Sequence, residues 1–150
     1  MPTPTSTRDR IARDVFFAAV TCVGALELFY WALAQWATLR IWEPWVVEYP
    51  VLGYAGPFAA IAVACGIVVG VIVGVVVRAN PLRVAAWAGA TACVLSFRSA
   101  LIVGGLSFVT GTYSVIAAPL LAVGLLAGAS LSRGARMPLS RNTTQVIAFE

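Results

Sequence analysis

Four apolar stretches, each close to twenty residues, constrain this chain more than any other feature. They run from about Val15 to Trp36, Pro57 to Val77, Val84 to Val103 and Tyr113 to Leu131. At roughly 1.5 Å per residue, a helix of that length covers a hydrocarbon core of about 30 Å. Inside lipid, every backbone N–H and C=O must find a partner within the protein, so such stretches become helices. The expected fold is therefore all-α. It is an integral membrane four-helix bundle, with residues 1–150 forming a single membrane domain.

Composition agrees. The chain is 61% hydrophobic and 11% charged, with a mean hydropathy of +0.92. A soluble domain is about half apolar and a quarter charged. The formal charge of +4 is no nucleic-acid footprint, because the arginines gather at the ends of the apolar stretches and lysine is absent. There is also no histidine, which removes the usual haem and zinc ligands and imidazole-based acid/base chemistry. Cys22, Cys65 and Cys93 lie within apolar stretches without CxxC spacing, as small packing hydrophobes do. No metal site, cofactor or catalytic set is expected, and the chain reads as a non-enzyme.

The first helix is expected to begin near Thr7, where Ser6-Thr7-Arg8-Asp9 has capping-box form. A basic start, an apolar run and Ala32-Leu33-Ala34 mimic a signal peptide, but the run is long and holds Glu27, so the segment is expected to stay. Residues 37–56 read as an external loop lying on the membrane surface. Trp36, Trp42, Trp45, Tyr49 and Tyr54 suit the headgroup level, as an aromatic belt or a docking surface for a partner or lipid. The Arg78–Arg83 turn is so short that it predicts antiparallel, neighbouring second and third spans. Residues 104–112 form another loop, Pro119 is a candidate kink, and 132–150 is a polar tail.

Arginine counting sets an expected orientation. Three arginines precede the first span, two lie in the 78–83 turn and three follow the last span. The 37–56 loop holds one and the 104–112 loop none. Both termini are thus expected in the cytoplasm, in a plasma membrane of bacterial type.

Two charges lie inside the spans. Arg98 interrupts the third, where a central guanidinium costs about 2.5–3.5 kcal/mol on insertion scales. Glu27 interrupts the first. Counted from the cytoplasmic ends, Glu27 lies roughly 18 Å and Arg98 roughly 21 Å into the membrane. Similar depth on parallel spans predicts an intramembrane Glu27–Arg98 pair within the chain, or a counter-charge for each on another protein. Tyr30 and Trp31 sit one turn from Glu27, able to stack with an arginine or line a pocket.

Small residues recur every fourth position. The second span carries Ala62, Gly66, Gly70 and Gly74; the fourth carries Gly124, Gly128 and Ser132; the third carries Ala85, Gly89 and Cys93. Such stripes let helix backbones approach closely. Three stripes exceed what four short helices require, which suggests association with other helices.

These features favour a small accessory or assembly subunit of a larger membrane complex, with other membrane subunits and lipid as partners. Hetero-oligomers are favoured and homo-oligomers possible. The alternative is a small homo-oligomeric transporter or channel that uses Glu27 as its coupling carboxylate. Four spans with a carboxylate in the first resemble the small multidrug resistance family in architecture alone. This chain departs from it in its long aromatic first loop and in Arg98, which could neutralise that carboxylate. A lipid-modifying enzyme, with Glu27, Glu43 or Glu48 as base, has least support without histidine.

Overall fold

The computed structural model describes residues 7–39, 50–77, 79–103 and 108–135. These form four helices: α1 (Thr7–Thr38), α2 (Pro50–Val76), α3 (Pro81–Val103) and α4 (Phe108–Gly134). Three of them, α1, α2 from Ala55 and α4 from Val115, are long and apolar enough to cross a membrane. The chain is thus a helical bundle of membrane-protein type. The expected third span, α3, is not among those three. It is long enough, at 23 residues, but its described part includes Arg83 and Arg98 and is rich in Ala, Gly, Thr and Ser.

The helix ends follow local chemistry. α1 begins at Thr7, where the capping motif places it. Asn80 and Pro81 open α3: Asn80 supplies the carbonyl that accepts the Val84 N–H (3.2 Å), and proline at the first helical position loses no needed donor. α2 starts earlier than expected, at Pro50, and continues through Pro57. Proline is tolerated in apolar helices whose surroundings satisfy the freed carbonyl. α4 likewise begins at Phe108 and carries Pro119 in its interior. Both loops are therefore shorter than the sequence suggested.

The core is built from small residues. Ala18, Ala25, Ala62, Ala85, Ala88, Ala92, Ala117 and Ala129 are buried, and Leu121 and Leu125 are the largest fully enclosed side chains. Without a hydrophobic drive between helices in lipid, close backbone approach and dispersion do the work. The most extensive contact joins α2 and α4, then α3 and α4; α1 rests on α3 and α2.

One expectation needs correction. α2 and α3 are antiparallel but meet lightly, although only a short turn separates them. Val73 of α2 and Val77 just beyond its end join Val84 of α3 around Ala18 of α1, beside that turn. Most of the α2 packing face is taken by α4 instead.

Candidate functional site

The glycine stripes face one another. A methyl group at Gly66 would run into the Leu121 carbonyl, at Gly70 into the Leu125 carbonyl, and at Gly74 into the Ser132 hydroxyl. In return, Gly124 faces the Val63 carbonyl and Gly128 the Ile67 carbonyl. Numbers rise together along the two helices, so α2 and α4 run parallel. Gly89 of α3 meets Ala122 of α4, where an added methyl would lie 2.7 Å from the Ala122 Cβ. Ala62 is fully buried in the same core. The stripes that the sequence suggested were surplus are thus consumed inside the chain, and they lend no weight to outside association.

One ion pair was not foreseen. Asp14 of α1 meets Arg83 of α3 at 3.8 Å, the carboxylate side chain 8% exposed and the guanidinium 51%. In the sequence Arg83 reads as the end of the short polar turn and Asp14 as a charge just ahead of the first apolar run. The helix phase decides otherwise: Asp14 lies on the α1 face with Ala18, Thr21, Cys22, Ala25 and Phe29, all buried. The pair fixes the relative height of α1 and α3, and both helices run away from it.

From that level Glu27 lies 13 residues along α1 and Arg98 15 residues along α3, roughly 20 and 22 Å respectively. Their depths match, but the two side chains do not meet. Both are exposed on the outside of the bundle, and among the described residues no ion pair joins them. The cause is again phase. Glu27 stands two residues beyond buried Ala25, and Arg98 two residues beyond buried Ser96. Two residues turn a side chain roughly 200° about the axis, from inside to outside. Glu27 sits in an outward stripe with Phe16, Val20, Val23 and Trp31.

Tyr30 turns partly towards the core. With Leu26, Phe29, Ser96, Ala117, Ala118 and Leu121 it encloses a space of about 10 Å³. That is at the lower limit for one water, so the bundle holds no internal ligand chamber at this point. Among the described residues, no cluster of three or more His, Cys, Asp or Glu could hold a metal ion. Cys22 and Cys65 are buried in the core as free thiols. The Thr91 hydroxyl donates to the Trp87 carbonyl in its own helix at 2.8 Å, and the Ser132 hydroxyl to Ala129 at 2.8 Å.

Of the expected belt aromatics, Trp36 is half-buried. Its ring packs edge-on against Phe58 of α2 at 6.3 Å, while Phe58 also meets Phe29 at 6.4 Å. Trp36 therefore stitches α1 to α2. Trp42, Trp45 and Tyr49 lie outside the described residues, as does the Tyr54 side chain. Comparison with protein-family models, with curated proteins and with solved structures returns no match.

Proposed function

We propose that this chain is a non-catalytic accessory or assembly subunit of a membrane complex, docking through the outward face of α1. On this reading α3 is a fourth span. Both termini are cytoplasmic, by the arginine distribution, and the home membrane is a bacterial-type plasma membrane. The observation that carries the proposal is Glu27. It lies near the middle of an apolar helix, faces away from its own bundle and has no cation from the described chain beside it. An unpartnered carboxylate is costly inside lipid, so this position calls for a positive partner. Its side chain is too short to reach either headgroup layer. Flanking Val20, Val23 and Trp31 offer an apolar surface for a foreign helix, and that helix is expected to carry a Lys or Arg at matching depth.

The test is purification of the tagged full chain in mild detergent, beside Glu27→Leu. Stoichiometric foreign subunits with the parent chain, lost in the variant while the bundle stays folded, support the reading. A clean homo-oligomer with proton-dependent solute flux, abolished by Glu27→Gln, would replace it with the transporter alternative.

A further inference from the structure

Arg98 has a different setting from Glu27. It stands five residues from the end of α3, roughly 8 Å along the axis, so its long side chain can reach the nearer headgroup layer. Beside it an open cleft runs between α3 and α4, with a volume of about 490 Å³. Cys93, Val94, Phe97 and Arg98 form one wall, Val115 and Pro119 the other. That volume falls within the range of small-ligand sites, about 300–1,000 Å³. The lining is almost wholly apolar apart from the guanidinium.

We propose that this cleft is a binding site for one anionic phospholipid, in the leaflet at the C-terminal end of α3. An acyl chain lies along Val94, Phe97, Val115 and Pro119. The headgroup phosphate accepts hydrogen bonds from Arg98, whose planar fork matches phosphate oxygens. This arrangement gives the guanidinium a counter-charge without a second protein. It also explains how a short stretch of α3 holds a cation on an outward surface. The pairing of apolar cleft and single rim cation selects an amphiphile with a negative head. A zwitterionic lipid gains less, because its own cation competes for the phosphate. On the orientation proposed above, the leaflet is the outer one; the lipid assignment holds in either orientation and does not depend on the docking role of α1.

The experiment uses the purified full chain in a neutral detergent. Phosphatidylglycerol and phosphatidylcholine with identical acyl chains are added in turn, and bound lipid is counted by native mass spectrometry. One phosphatidylglycerol is expected per chain, preferred by roughly tenfold, the factor that about one charge-assisted hydrogen bond supplies. Arg98→Gln is expected to erase the preference, and Arg98→Lys to keep part of it. Val94→Trp, at a position 66% exposed, is expected to narrow the cleft and lower binding of both lipids without disturbing the core. Equal binding of the two lipids, or a preference that survives Arg98→Gln, overturns the proposal. So does a chain dimer that Val94→Trp dissolves, which assigns the cleft to self-association.

Discussion

The α2–α4 seam and the outward face of α1 are both apolar surfaces of membrane helices, and they differ in what they leave open. In the seam, glycines of each helix receive carbonyls of the other, as at Gly66 against Leu121 and Gly128 against Ile67, and Gly74 receives the Ser132 hydroxyl. Nothing larger than hydrogen fits there. On α1, large side chains such as Phe16, Val20 and Trp31 project outward around a carboxylate. A closed seam defines the fold, whereas an open face with a polar centre invites another molecule. The distinction lies in side-chain size and phase, since overall hydrophobicity does not separate the two.

Substitutions can break this contrast, and the largest effect belongs to the seam. Gly70→Leu puts a branched side chain against the Leu125 backbone, which cannot yield without parting the helices. Overpacking costs about 1–3 kcal/mol where a core can adjust; here the loss is expected at the top of that range or beyond. Reversible unfolding in mixed micelles should show it, and a neutral outcome would refute the seam. The Gly89→Leu change on α3 meets the Ala122 methyl at 2.7 Å and its backbone only at 3.2 Å and beyond, and is expected to cost less.

Next comes the Asp14–Arg83 pair. Arg83→Ala strands a buried carboxylate, yet the arginine is half exposed and its attraction is screened. A loss of about 1–2 kcal/mol is expected, well below that of a fully buried pair. Replacing both residues, Asp14→Leu with Arg83→Leu, should recover most of it in the same unfolding assay. If the double change is worse than the single, the pair is a net stabiliser in its own right.

The smallest effects on the isolated bundle are expected on its outside. Glu27→Leu and Trp87→Ala alter exposed positions and should shift stability by no more than about 0.5 kcal/mol. Measured in the same way, a large loss in Glu27→Leu would mean that Glu27 holds its own bundle together, contrary to its outward placement. Partner capture, by contrast, should fall sharply in that variant.

Much of the fold was readable from residues alone. Apolar run length gave the helices, the Ser6–Asp9 motif gave the start of α1, and four-residue glycine spacing picked out the packing stripes, whereas Asn80-Pro81, read as part of a turn, opens α3. What the stripes could not disclose was their partners. A smooth face fits any other smooth face, so nothing in the spacing said that α2 would choose α4 over its chain neighbour α3. The rotation of Glu27 and Arg98 was also hidden. In water, the polar side of a helix marks its outside, but in lipid both sides are apolar and the pattern loses that meaning. Depth followed from counting residues; direction required knowing that Ala25 and Ser96 point inward. Asp14 and Arg83 were missed for a related reason: charges near a span end look like headgroup contacts until phase places one of them indoors.

The parallel pairing of α2 with α4 also has a consequence for how the protein is made. Ribosomes deliver helices in order, so α2 enters the bilayer with its groove open and must wait for the last helix to be synthesised. During that interval the stripe is offered to any small-faced helix nearby, including α2 of another nascent copy. Chains cut short before Leu121 would display that groove permanently, a form suited to recognition by membrane proteases.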